Sequence, residues 1–356
     1  MFQKNQTDLS KADVFQKYDR NKKVGQIAES IQKAGSKVHL KGLVGSSLSF
    51  VVHSIFTKTE LPFMLILQDK EEAAYYLNDL EQMVGEQDVL FYPGSYRRPY
   101  QIEETDNANV LLRAEVLNRL NSRKKAAIIV TYADAVFEKV ITRKELEKNT
   151  LKVGVGDQIS IEFINEVLFE YEFRRVDFIT EPGEFSVRGG IIDVFSFSND
   201  NPYRIEFFGN EVDSIRSFDV ETQLSIEKQS KITIIPNVEN KFFRDKRESF
   251  LEYISTETVL FIQNPELLFS QLDKLFDKAS ESFGKLDGLV KHVAPNELFV
   301  DKSTFLAKAI HFTVVDMGSK PLFKIDSPFE FSIQPQPSFN KQFDLLLNDL
   351  SNNHFK

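Results

Sequence analysis

The 356-residue chain contains no cysteine and no tryptophan. Without thiols there are no disulfides, no iron–sulfur ligands and no thiolate zinc site. The five histidines, His39, His53, His292, His311 and His354, are too scattered to form a short-spaced metal motif, so neither metal nor cofactor is expected. No apolar run approaches the ~18 to 20 residues of a membrane span. The first eight residues, MFQKNQTD, lack the apolar stretch of a secretory leader. No membrane contact and a cytoplasmic location are therefore expected. Positive charge is also scarce: 44 Lys and Arg against 53 Asp and Glu give a net charge of −9. That balance argues against a surface that grips nucleic acid throughout, because phosphate binding rests on clustered cations.

What the chain does have is length, 42% hydrophobic residues and 33 phenylalanines. Single cores stop growing at roughly 250–300 residues, so two or three domains are expected. The charge is unevenly spread. Residues 150–236 carry 8 basic against 16 acidic side chains, a local charge of −8, and leave 36 against 37 in the rest. Five of those eight cations are Arg174, Arg175, Arg188, Arg204 and Arg216, in a chain with 30 Lys and 14 Arg. Arginine favours bidentate carboxylate pairing and is enriched at protein interfaces. Internal ion pairing within an acidic domain is the plainer account of any single one.

From residue 24 to 141 strand-like and helix-like patterns alternate. Helices are expected over 25–34, 47–56, 71–84, 109–120 and 133–141, with strands over 37–43, 61–67, 89–92 and 126–131. Such alternation with apolar strands predicts a parallel sheet covered on both faces. The pattern then breaks. A helix capped by Ser160 and running to Phe173 precedes short strands over 176–180, 185–188, 191–197, 203–208 and 211–218. Turn chemistry separates the strands: Glu181-Pro182-Gly183, Gly189-Gly190, a polar Ser198–Pro202 loop and the two-residue Gly209-Asn210. Helices over 245–254, 266–283, 303–309 and 341–350, and strands over 259–263, 312–316 and 322–325, resume the first pattern. The expected fold is a parallel α/β domain in two segments, 1–147 and 237–356, with an inserted α+β domain, a helix on an antiparallel meander, over 148–236.

Between the first predicted strand and helix the loop contains Gly42, Gly45, Ser47, Leu48 and Ser49. Set against the phosphate-loop pattern G-x-x-x-x-G-K-[ST], Gly42 and Ser49 fit, Ser47 replaces the second glycine and Leu48 replaces the lysine. Lysine offsets phosphate charge and the glycine admits close backbone approach. Leucine does neither, so the loop reads as a degenerate, non-functional phosphate loop or an ordinary strand-to-helix turn. Asp193 and Glu206 lie inside predicted strands with arginines nearby, so a catalytic carboxylate pair is not expected.

Residues 181–223, with EPGEFSVRGGIIDVF, PYRIEFFGNE and IRSFD, resemble the region shared by the excision-repair subunit UvrB and the N-terminal part of the bacterial transcription-repair coupling factor, Mfd. The likeness extends less strictly over Phe91-Tyr92-Pro93, residues 128–135 and Gln334-Pro335-Gln336-Pro337. The altered loop and a short, aromatic-poor connection from Tyr92 to Asn109 favour the coupling-factor branch, whose module lacks the ATPase site and the DNA-clamping hairpin. The resemblance implies that the insert docks the damage-recognition subunit UvrA through a surface that includes Arg175 and Arg188, with Arg174, Phe185 and Phe195 added by proximity. It also implies that RNA-polymerase and double-stranded-DNA contacts, and any ATP-driven motor, lie outside a chain that reads as an N-terminal fragment without enzyme activity. The alternative is an ATP-dependent UvrB-like subunit with residual nucleotide or DNA binding. A third reading has the module docking on the missing C-terminal part and masking its UvrA face.

Overall fold

The structure is a computed structural model that describes residues 11–95, 107–122, 125–237, 246–286, 293–334, 339 and 342–353. Four strands precede the insert: β1 (Lys37–Lys41), β2 (Phe63–Leu67), β3 (Val89–Tyr92) and β4 (Ile128–Tyr132). Every residue of β2 and β4 is buried, as expected of strands covered on both faces. The covering helices show the complementary pattern. In Lys22–Ile31, Val24, Ile27, Ala28 and Ile31 are buried at helical spacing, and Asn21 caps the start by accepting from the Lys23 amide. Asp69 caps Lys70–Val84 through the Glu72 amide at 2.9 Å.

The chain leaves this sheet along β5 (Val140–Ile141) and β6 (Leu151–Gly154). The meander follows as β7 (Arg174–Arg175), β8 (Glu184–Arg188), β9 (Ile191–Val194), β10 (Tyr203–Phe208), β11 (Glu211–Phe218) and β12 (Ser225–Gln229). The return path uses β13 (Lys231–Ile234) and β14 (Arg247–Glu248). Outgoing and returning strands pair antiparallel, β6 with β13 from Leu151↔Ile234 to Gly154↔Lys231, and β5 with β14. The two-strand neck thus holds the insert by backbone hydrogen bonds rather than by a loose linker. Within the insert the order is β12-β11-β10-β9-β8-β7, with β7 parallel to β8 and the other pairs antiparallel. Helix Ile161–Glu170, capped by the Ser160 hydroxyl, packs Ile164 and Leu168 onto one face of that sheet, where Phe185 is fully buried.

After the insert come β15 (Val259–Ile262), β16 (Thr313–Asp316) and β17 (Ser327–Glu330). They complete a seven-stranded parallel sheet in the order β17-β1-β16-β15-β2-β4-β3. At its β3 edge a wholly buried Arg113 donates to the Pro93 carbonyl at 2.9 Å, lies 3.3 Å from Glu138 and stacks on Tyr92. Glu138 also accepts from the Ser95 amide and hydroxyl. A desolvated pair survives burial only with its remaining hydrogen bonds supplied, and here they fasten the chain where it leaves β3.

The expected parallel α/β sheet in two segments and the inserted helix-plus-meander are both present, and four local expectations fail. Residues 176–180 are not a strand: after the Val176 amide bonds the Phe185 carbonyl the chain lifts away, and Val176 and Ile179, three apart, pack together against Phe195 and Phe218, a spacing that β alternation does not allow. The helix over 133–141 stops at Phe137, because buried Val140 and Ile141 pair with β14. The helix over 245–254 shrinks to Phe250–Tyr253, started by a Ser249/Glu252 capping box. The strand over 322–325 is displaced to β17, since the Asp316 carboxylate takes the Gly318 and Leu322 amides and turns the chain first. Strands β6, β7, β12 and β13 were not anticipated. The 96–106 connection and Pro335–Pro337 lie outside the described residues.

Gly42 has φ +80°, and a Cβ there would overlap the Phe331 carbonyl, whose residue follows β17. Gly35 has φ +75° with nothing within 4 Å of the equivalent point. Gly35→Ala should therefore cost only the left-handed strain, about 1–2 kcal/mol. Gly42→Ala should cost about 3 kcal/mol or more, since a backbone clash is added. Equal midpoints for the two variants in urea unfolding would refute the clash.

Candidate functional site

The strand-to-helix loop after β1 is closed on itself. The Ser47 hydroxyl accepts from the Val44 amide at 2.8 Å and donates to the Val44 carbonyl at 2.7 Å. The side chain that replaces a glycine therefore fills the concavity that loop amides would offer an anion. Leu48, at the lysine position, is 3% exposed and belongs to the core. Ser49, where a magnesium-binding hydroxyl would sit, donates to Asp79 at 2.9 Å. The Ser46 hydroxyl bonds Tyr75, and the Gly45 carbonyl faces the Tyr76 hydroxyl, which burial pushes up to about 12.

Asp316 adds an observation that sequence reasoning missed. It ends β16, the strand beside and parallel to β1, and so stands at the same end of the sheet as the β1 loop, where a carboxylate could in principle hold a magnesium ion. Here it is 1% exposed, and its two oxygens accept the Gly318 and Leu322 amides at 2.8 and 2.7 Å. The run Thr313-Val314-Val315-Asp316, an apolar strand ending in an acid, was the available signal. Hydroxyls and carboxylate are committed to protein partners and the lysine is an aliphatic core residue, so this donor set does not fit a nucleotide's phosphates.

The insert has two unlike faces. Cross-strand pairs project to the same side of a sheet, so Ser186↔Asp193, Asp193↔Arg204, Arg204↔Arg216 and Arg216↔Lys228 define one row on the face away from helix Ile161–Glu170. Arg174, opposite Glu184, and Arg188 lie on this same open face. Two buried carboxylates organise it. Asp193, 2% exposed, accepts from Arg188 and takes Arg204 through Nε at 2.7 Å and Nη2 at 2.9 Å. Glu184 accepts from Arg174, from the Thr180 amide at 2.7 Å and hydroxyl at 3.0 Å, and from the Glu181 amide. Burial raises the Glu184 carboxyl, yet the Thr180 amide, the Arg174 guanidinium and the Glu181 amide together hold it below the usual range. In return the hydrogen bond that Arg174 donates to Glu184 raises Arg174 above its ordinary value. Arg216 pairs with Glu206, which also accepts from Ser214 at 2.6 Å. Asp193 and Glu206 are thus both occupied by arginines, as expected of structural carboxylates.

With the open face described, its relatives become informative. Residues 151–240 match the UvrB interaction domain. The matched span begins at β6 and ends just beyond β13, so the UvrB interaction domain coincides with the neck and the meander it carries. Among curated proteins the chain is 34% identical over 198 residues to the transcription-repair-coupling factor of Bacillus subtilis, covering 55% of this chain and 17% of that protein. It is 26% identical over 245 residues to that of Escherichia coli, covering 68% and 21%. With UvrABC system protein B of Ureaplasma parvum it shares 27% over 288 residues, covering 74% and 43%. The chain spans about a fifth of the length of these coupling factors and about two fifths of that UvrB.

Of the residues singled out from sequence, the structure brings Arg174 and Arg188 together on the open face, with side chains 64% and 44% exposed. Arg175 is exposed too, but it sits opposite Phe185 and so projects to the helix side, on the edge strand β7. Neither phenylalanine is a surface contact. Phe185 is wholly buried against Phe169, and Phe195, 6% exposed, packs with Ile179 and Phe218. Both are core residues because they fill the two sides of the sheet. An exposed aromatic absent from the sequence reading, Phe178, lies beside Arg188. Among the described residues no helix is long and apolar enough to cross a membrane.

Because Glu184 is held below the usual 4.5, its hydrogen bonds contribute stability above that pH and lose it as pH falls through the lower folded value. Glu184→Gln should destabilise by about 1–3 kcal/mol at pH 7. The gap from the parent in thermal unfolding should narrow as the medium is acidified below pH ~4. A gap that widens on acidification would contradict the assignment.

Proposed function

We propose that this chain is a non-catalytic adaptor that recruits UvrA during nucleotide excision repair, in the manner of the UvrB-like module of a transcription-repair coupling factor. The observation that carries the reading is an arginine-bearing open face on the segment matched by the UvrB interaction domain. Five of the eight cations in residues 150–236, namely Arg174, Arg188, Arg204, Arg216 and Lys228, gather on that one face of a module whose net charge is −8. The module is taken as 148–236 between two parts of one α/β domain, 1–147 and 237–356, supported by the β6–β13 neck. Arg174 and Arg188 are the proposed contacts on the face and Arg175 a contact at its edge. RNA polymerase, double-stranded DNA and a motor are assigned to regions beyond this chain, and action in the cytoplasm follows from that setting.

Purified chain mixed with UvrA should form a complex. Arg174→Glu and Arg188→Glu should each weaken it by about 2 kcal/mol, roughly 30-fold, and Arg175→Glu should weaken it less. Affinity unchanged by both open-face reversals, measured by calorimetry, would sink the site.

The closed loop and buried Leu48 support an adaptor without ATPase activity. No ATP binding should be seen at millimolar nucleotide. Micromolar affinity would instead favour an ATP-dependent UvrB-like subunit.

A further inference from the structure

Resting on the UvrA-docking reading, we propose that Phe178 is a specificity-determining contact of the open face. It forms with Arg188 one composite anchor for a UvrA element that carries a carboxylate next to an apolar side chain. Phe178 is 66% exposed, an unfavourable place for a large ring unless something covers it. It is also held firmly. The preceding Val176 amide donates to the Phe185 carbonyl at 2.9 Å, and the Asp177 carbonyl accepts from Ser186 at 3.1 Å. On the other side Ile179 is 2% exposed in the small cluster with Phe195 and Phe218, and the Thr180 amide is fixed to Glu184. The backbone is thus tied down on both sides of an exposed ring, so little freedom is lost when a partner covers it.

The Arg188 guanidinium lies 5.4 Å from the centre of that ring, within cation–π range. Its Nη2 donates to Asp193, which fixes the group's direction and leaves other N–H donors of the fork for a partner. Asp193 is itself clamped by Arg204, which stacks on Phe218 at 4.5 Å. The pair therefore presents a hydrophobic plate and an oriented cation side by side, the combination found at interface hot spots. The occupant follows from charge: five of the eight cations of this acidic module are gathered on this face, and a carboxylate is the group that complements an oriented guanidinium. Phe208 is a useful contrast. It is 83% exposed at the tip of the β10–β11 hairpin, beside the turn rather than among the arginines.

The test is UvrA affinity for the whole chain and for Phe178→Ala, Arg188→Ala, the double variant and Phe208→Ala, each checked for an unchanged thermal midpoint. The wild-type chain should bind. Phe178→Ala should weaken binding about tenfold or more, and the double variant should weaken it by less than the product of the two single effects, the mark of one shared anchor. Phe208→Ala should leave affinity unchanged. Raising salt should weaken the wild type more steeply than Arg188→Ala, because a carboxylate partner is lost with the arginine. If Arg188→Ala weakens binding and Phe178→Ala does not, the composite anchor is wrong while the docking reading stands. Equal losses for Phe178→Ala and Phe208→Ala would overturn it as generic stickiness. A wild-type chain that fails to bind UvrA would overturn the docking reading and this inference with it.

Discussion

Strands β15 and β16, from the chain beyond the insert, lie between β1 and β2, from the chain before it. The seven-stranded sheet therefore cannot close until both flanks have come together, with pairings as distant as Lys37↔Val314. Closing loops of that size costs entropy that only the finished sheet repays. The antiparallel neck of β6 and β13 shortens the effective loop by bringing the ends of the insert side by side. The same constraint explains why β5 and β14 exist as short pairs: they continue the zipper toward the sheet. Local patterns around Val140 and Arg247 suggested helix because their strand partners lie about a hundred residues away.

That distance also marks what could be read from the sequence. Continuous apolar runs such as Phe63–Leu67 and capped amphipathic helices such as Lys70–Val84 carry their own period and were legible. So were the Gly209-Asn210 hairpin and the acidic insert. The Ser249/Glu252 capping box stands in the sequence, and the helix expected over 245–254 overlooked it. The failures share a cause, tertiary partners overriding local pattern. Beyond the last ladder bond at Val176 the chain turns so that Ile179 joins Val176 against Phe195 and Phe218, and Asp316 turns a chain that alternation alone would have extended. At the candidate site, Arg175 and Arg188 came from the family resemblance and Arg174 from proximity to them, but which of them share a face depends on strand alternation at β7. Phe178 escaped because its significance lies in exposure and in the guanidinium beside it, neither of which a sequence displays.

On the open face, burial and exposure are combined within single ion pairs. The carboxylates of Glu184 and Asp193 are almost inaccessible, whereas the Arg174 and Arg188 side chains that they hold are about half exposed or more. A surface ion pair contributes little when both groups are solvated. A carboxylate fixed from below by backbone amides or by a second arginine is different, because its geometry is set before the exposed cation arrives. The long arginine side chain is then restricted in the free protein, and part of the entropy of ordering it has been met during folding.

The loop after β1 illustrates how packing can keep a turn from serving as a ligand site. Each departure from the phosphate-loop pattern has a structural use: Leu48 fills core volume, Ser47 ties the turn, and the chain after β17 occupies the space beside Gly42. A lysine placed at position 48 would first meet apolar neighbours, at a cost of several kcal/mol for a desolvated charge. A glycine placed at position 47 would release the turn before any phosphate stabilised it. The steps toward a phosphate-binding loop are individually destabilising, so packing alone acts as a ratchet that would hold this turn in its closed form whether or not selection continued to favour it.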